Sequence, residues 1–221
     1  MKLQGVGIDR STTVDKVVAA LRRAMFEGNI SPGEQLPEMT LSKTFLVSRS
    51  TIREALRVLT ADGLAVHTPN RGVTVHQLSL ADIDDIFLTR SVLETQAVHA
   101  VENCTESAME SFKNAMKQYA DAAESGDPLS AADAHVEFHS IMVGLIGSKR
   151  LAETERALMR DLQLIIASID KKRDDLPSEI KKHHRLTQMF LNRQLDDAIE
   201  WINNDLALAK RFVIKQVRGN K

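Results

Sequence analysis

The chain has 221 residues, 43% of them hydrophobic and 27% charged, the composition of an ordinary water-soluble protein long enough for two compact units. Only 5 prolines and 10 glycines interrupt abundant helix formers, which points to a mostly helical chain. The formal net charge of −1 conceals an asymmetry. Residues 1–78 carry 10 Lys plus Arg against 7 Asp plus Glu, giving +3, and the remainder carries 19 against 23, giving −4. A mildly basic head on an acidic body excludes a large basic field but suits nucleic-acid contact through individually placed arginines. The single cysteine, Cys104, excludes an internal disulfide and points to a reducing compartment; it reads as a passive helix residue. The leader after Met1-Lys2 is polar with no apolar core, and no apolar run approaches the roughly 20 residues of a membrane span, so a cytoplasmic protein is expected.

In chain order, Val14, Val17, Val18, Leu21 and Met25 mark an amphipathic helix that stops near Gly28. A short helix follows from about Pro37 to Phe45, with proline acceptable in its first turn. The next helix lies within Val47 to Gly63, with Ser48 as its N-cap and Gly63 as its stop. Ile52, Ala55, Leu56 and Leu59 form its apolar face, while Arg49, Arg53 and Arg57 lie four apart on another. Such a helix suits a DNA major groove: arginine can bridge guanine bidentately, and Ser50 and Thr51 can reach bases or phosphates. A solvated basic face is the plainer reading. Leu64–His67 and Val73–His76 read as two strands around a Pro69-Asn70-Arg71-Gly72 turn. Three helices and a two-stranded ribbon make a winged helix-turn-helix, with Arg71 and Gly72 at the wing tip.

The segments Ser31-Pro32-Gly33-Glu34-Gln35-Leu36, Val47-Ser48-Arg49 through Arg53-Glu54-Ala55-Leu56, Asp62-Gly63-Leu64 and Pro69-Asn70-Arg71-Gly72 resemble the GntR family of bacterial transcription regulators over about residues 12–76. The resemblance implies DNA contacts from Arg49, Ser50, Thr51 and Arg53, with Arg71 and Gly72 at the wing. Three positions depart from the family. Leu46 stands where many members have glycine, Pro37 where a serine often caps the second helix, and Met39 where some members carry a DNA-contacting arginine.

From Ser79 onward the periodicity is helical throughout. Ser79 with Asp82 caps a helix carrying Leu80, Ile83, Ile86 and Leu93 inward. Thr105 caps the next, with Met109, Phe112, Met116 and Tyr119; Asp127 caps a third that starts at Pro128 and closes by Gly147. A fourth places Leu151, Leu158, Leu162, Ile165 and Ile169 inside and ends at a charged loop, Lys171–Asp175. A fifth begins near Ser178, and a sixth runs from about Leu195 to Val217. Six antiparallel helices joined by short loops form a bundle. The expected fold is therefore mostly α: a winged helix-turn-helix over residues 1–78 and an all-α antiparallel bundle over 79–221.

Polar residues interrupt the apolar faces of that bundle. His135 and His139 lie four apart, so their imidazoles point to one spot. His184 falls on the stripe of Ile180, Thr187 and Leu191, and Asp205 sits among Ile202, Leu206 and Ala209, where an unpaired carboxylate is costly. Three imidazoles and a carboxylate would hold Zn, Ni, Mn or Fe. Alternatively, the histidines are interfacial, and His183 rather than His184 faces inward, or neither does. The region from about residue 80 to 215 resembles the FCD effector domain of FadR-type GntR regulators, through its helix count, Arg90-x-x-x-Glu94 and Phe138-His139. Many FCD domains hold a divalent metal with an Asp-x-x-x-His pair and one histidine on each of the last two helices. Laid on this sequence, that implies His135, His139, His184 and Asp205, with the carboxylate and one imidazole exchanged. Asp133 is six from His139, which takes it off the face. The resemblance also implies a small organic acid on the metal, for which Arg90 would be a bidentate partner, unless Arg90 and Glu94 form a surface pair.

The reading that results is a homodimeric regulator on a palindromic double-stranded operator, and the family resemblance implies repression relieved by a carboxylate effector. The alternatives are a metal-dependent enzyme, opposed by the lack of a general base other than the outward Glu137, and a direct metal sensor.

Overall fold

The computed structural model describes the backbone of residues 12–173 and 176–219, with side chains over 12–166 and 176–218. The leader, the inward placement of Ile169 and the last residues of the charged loop, Asp174 and Asp175, lie outside these residues. No helix among the described residues is long and apolar enough to cross a membrane.

The head comprises α1 (Thr13–Phe26), α2 (Glu38–Phe45), α3 (Arg49–Ala61) and the antiparallel strands β1 (Ala65–Thr68) and β2 (Gly72–Val75). Ser48 caps α3 as expected, and α1 adds a cap that its apolar periodicity did not announce. Thr12 and Asp15 form a capping box at α1, and the Ser48 hydroxyl accepts the Thr51 amide at α3. Pro37 takes the N-cap position of α2 but supplies no side-chain bond. Leu46, in the turn between α2 and α3, has φ +55° and is 90% exposed, so a side chain stands in left-handed backbone where glycine is cheaper. Ile52, Ala55, Leu56 and Leu59 of α3 are sealed against Val17, Leu21 and Met25 of α1 and against the strands.

The body comprises α4 (Leu80–Ala100), α5 (Glu106–Glu124), α6 (Pro128–Gly144), α7 (Lys149–Arg173), α8 (Leu176–Leu191) and α9 (Leu195–Gly219). A Ser79–Asp82 capping box opens α4, and Asp127 caps α6 with Pro128 in its first turn. The core is built on Phe112, Tyr119, Phe138, Met142, Leu162 and Phe190. Helix α7 runs through Lys171–Arg173, so part of the expected loop is helical, and α8 starts at Leu176, two residues before Ser178.

The head is seated on α6 and α7, where Leu129, Ala132 and Leu164 pack against its core. Arg22 of α1 reaches both oxygens of Asp133 at 2.8 and 3.1 Å, and the amide of Gln163 donates to the same carboxylate at 2.7 Å. Arg23 lies 3.6 Å from Asp127, and His76, just after β2, lies 3.8 Å from Asp161 of α7. Asp133 therefore has structural work off the inner face of α6, where its spacing from His139 puts it.

A histidine centre in the body and an arginine face on the head

Helix α6 brings His135 and His139 to one spot, and α8 brings His183 to meet them. The three Nε2 atoms form a triangle with edges of 3.1, 3.1 and 3.2 Å. Tyr119 of α5 stacks flat on His135, with centroids 4.8 Å apart and planes 10° apart. His184 is not part of this centre. The buried face of α8 runs His183, Leu186, Thr187, Phe190, and His184 points to solvent about 100° further round. The stripe of Ile180, Thr187 and Leu191 misjudged that rotation by one residue. Asp205 of α9 lines the same cavity, but its Oδ1 lies 3.8 Å from Lys182 Nζ, and it is not among the donor atoms that converge.

The hydrogen bonds around the triangle assign one of its tautomers. His183 Nδ1 sits 2.7 Å from the Glu179 carbonyl oxygen, so it carries the proton and leaves a lone pair on Nε2. His139 Nδ1 lies 3.3 Å from both Glu94 Oε1 and Arg90 Nη2: with its proton on Nδ1 it faces the carboxylate and offers a lone pair at Nε2, and with its proton on Nε2 it accepts from the guanidinium. His135 can offer one N–H to one of these neighbours. In the first arrangement the 3.2 Å contact between His139 and His183 sets lone pair against lone pair; in the second His139 Nε2 donates to His183. Burial holds all three histidines below their ordinary pKa, His139 at about 4 despite the pull of Glu94, so protonation does not relieve the contact at neutral pH. A divalent cation among the three Nε2 atoms would favour the first arrangement and take a lone pair from each ring. Bonds of about 2.1 Å to three adjacent corners of an octahedron give donor edges of about 3.0 Å, against about 3.4 Å for a tetrahedron. The observed edges lie nearer the first.

Behind His139 lies a buried polar network. The Nη2 of Arg90 donates to Glu94 at 2.5 Å and its Nε donates to Glu155 at 3.0 Å, with all three side chains nearly sealed from solvent. The expected Arg90–Glu94 pair therefore exists, but inside the bundle rather than on its surface. Burial pushes both carboxyls up. For Glu94 the Arg90 guanidinium and His139 outweigh it and hold the carboxyl at about 2, whereas Glu155, beside the Glu94 charge, stays at about 8 and keeps its proton. Glu155 Oε2 has no hydrogen-bond partner among the described residues. Glu155 had a signal in the sequence: it sits four after Leu151 and three before Leu158, on the inner stripe of α7.

The raised Glu155 pKa has a pH consequence. A folded value near 8 against 4.5 unfolded makes its contribution full below pH 4.5 and lost as pH rises towards 8 and beyond. Thermal melts of the metal-free protein should therefore show the Glu155→Gln variant gaining on the parent between pH 6 and pH 9. A constant difference across that range would show that Glu155 is ionised throughout.

On the head, Arg49, Ser50 and Arg53 are exposed and Thr51 is half-buried. The Ser48 hydroxyl lies 2.7 Å from Ser50 Oγ and 2.8 Å from Thr51 Oγ1, gathering three hydroxyls at the start of α3. Arg53 donates to both oxygens of Glu38 on α2 at 3.2 and 3.0 Å, which holds its guanidinium at the helix surface. Arg57 lies 3.5 Å from Glu54. Arg71 stands at the wing tip between Asn70 and Gly72, both in left-handed backbone at φ +65° and +83°. Met39 is half exposed on α2.

Comparison with known proteins places both halves. Residues 13–75 match the bacterial regulatory proteins of the gntR family, and residues 85–208 match the FCD domain. The Nta operon transcriptional regulator of Aminobacter aminovorans is 27% identical over 191 residues, covering 85% of this chain and 88% of that protein. The HTH-type transcriptional regulator YdhC of Bacillus subtilis (strain 168) is 31% identical over 133 residues, which is 59% of this chain and 59% of its own length. The crystal structure of a GntR transcriptional regulator from Rhodococcus sp. RHA1 superposes with a TM-score of 0.70 at 24% identity, over 93% of this chain and 99% of that one. With a gntR-type head and an FCD domain matched over more than half its length, the chain belongs to the FCD-containing GntR family of DNA-binding transcription regulators, not to a family of enzymes.

Proposed function

We propose that the chain is a repressor whose operator affinity changes when a small carboxylate binds a divalent metal ion held by His135, His139 and His183. The observation that carries this is the convergence of three buried Nε2 atoms within 3.1–3.2 Å of one another, where a single ion would bind all three. Asp205, on the cavity wall, is the natural fourth donor once it leaves Lys182. The ion supplies a positive centre for a carboxylate; the chain supplies the rest. Glu94 and the Glu179 carbonyl orient two imidazoles, and Arg90, which also lines the cavity, keeps Glu94 ionised for that task. Glu137, the base candidate noted in the sequence, is drawn away into a bidentate pair with Arg156.

The head, residues 1–78, reads the operator and the body, 79–221, senses. Helix α6 joins the two activities. One side of it bears His135 and His139, and Asp133 beside them grips Arg22 of the head, so a shift of α6 on ligand binding is felt by α1. A cytoplasmic homodimer on a palindrome suits this arrangement, and Leu88 and Val92, exposed one turn apart on α4, offer an apolar contact for a second copy.

DNA reading is tested at Arg49, whose guanidinium projects from the first turn of α3. Arg49→Ala should weaken specific binding by about 1–3 kcal/mol with helix content unchanged. Arg53→Ala should do the same once the competing Glu38 pair is taken into account. Measured by fluorescence anisotropy against a duplex that the protein itself selects from random sequence, unchanged affinity in both variants would sink the assigned contacts.

A further inference from the structure

The cavity beside the histidine centre has a volume of about 310 Å³, at the small end of the roughly 300–1,000 Å³ of small-molecule sites. Its wall combines two kinds of side chain. The three imidazoles share it with Arg90, Glu94, Glu179, Lys182 and Asp205. The rest is apolar apart from the Trp201 indole N–H, and includes Leu186, Ile202, Leu206 and Phe212. Among the described residues no serine, threonine, asparagine, glutamine or tyrosine lines it.

Two consequences follow. The charged lining groups are two cations and three anions, a balance of −1, and a divalent ion with neutral imidazoles brings it to +1. That suits one anionic group and leaves no cation for a second, since Lys182 is already held by Glu179 at 2.7 Å and faces Asp205. The aliphatic and phenyl part of the wall would strip water from any hydroxyl placed against it without returning a hydrogen bond. We infer that the ligand is a monocarboxylate with an apolar body of a few carbons, bound head-on at the ion with its tail against Leu206 and Phe212, and that polyhydroxylated acids and dicarboxylates are rejected. This rests on the regulator reading above and specifies its effector.

Three six-carbon acids separate the terms. Hexanoate has one carboxylate and a bare chain, adipate adds a second carboxylate, and gluconate keeps one carboxylate and adds hydroxyls. Calorimetric titration of the zinc-loaded full chain, with zinc content rechecked afterwards, should show hexanoate binding at least about tenfold more tightly than either. On the half-exposed rim, Phe212→Gln should narrow the gap to gluconate without loss of zinc. Tighter binding of gluconate or adipate, or no binding of hexanoate at millimolar concentration, overturns the inference. Binding of the selected duplex by the same preparation tells the two failures apart. A chain that binds DNA but prefers gluconate loses only the ligand class, whereas one that binds no DNA loses the regulator reading as well.

Discussion

Arg90→Ala is expected to lower the free energy of unfolding by about 3–5 kcal/mol at pH 7, the cost of leaving a buried charge without its partner. Arg90 is 3% exposed and Glu94 2%, and the guanidinium holds the Glu94 carboxyl at about 2. Without it, burial dominates and the folded pKa of Glu94 rises above the unfolded 4.5. A carboxyl raised in the folded state contributes its stability below the unfolded pKa, so the deficit of the variant should shrink as pH falls from 7 towards 4.5. Urea melts at both ends of that range measure it. Arg156→Ala is the control. Its pair with Glu137 is about as close, at 2.8 Å, but the side chains are 33% and 44% exposed, and such pairs are worth about 0–1 kcal/mol. Equal losses at Arg90 and Arg156 would mean that burial does not set the scale here.

His183→Ala is expected to abolish stoichiometric metal binding, and His184→Ala to leave it intact. Removal of a residue that merely orients a ligand costs about 10–100-fold in affinity, and removal of a donor should exceed that. The two histidines are adjacent in sequence, carry the same group, and differ in that one is sealed in the centre and the other faces solvent. Elemental analysis after dialysis, with circular dichroism as a check on folding, compares them directly. Metal retained by His183→Ala, or lost from His184→Ala, would reverse the assignment.

The head was almost wholly legible in the sequence because its determinants are local. Ser48, Gly63, the four apolar positions of α3 and the Asn70-Arg71-Gly72 turn each act within a few residues of their own backbone. The six helices of the body were legible for the same reason. The centre was legible only in part. His135 and His139 share a helix, so their spacing alone brings them together. His183 reaches them from α8, and the rotation of that helix is set by Leu186, Met189 and Phe190 packing into the core, which periodicity over one short apolar stretch does not define to within one residue. Arg90 and Glu94 read equally well as a surface pair, because their burial depends on α7 covering them with Glu155 from 65 residues away. Asp205 was correctly read as facing inward, but its nearest cation comes from Lys182, a residue that has no signal of its own in the sequence.

Operator affinity in three states is the most direct measurement of whether the centre controls the head. The protein would be tested metal-free, zinc-loaded, and zinc-loaded with hexanoate, against its selected duplex at one fixed salt concentration. The expected result is a 5–150-fold fall in affinity on adding the acid to the loaded protein, the range of an ordinary coupling free energy of about 1–3 kcal/mol, with no fall in His183→Ala. A change on adding zinc alone, with nothing further from any acid, would make the ion itself the signal. Equal affinity in all three states would contradict the coupling of the histidine centre to DNA binding.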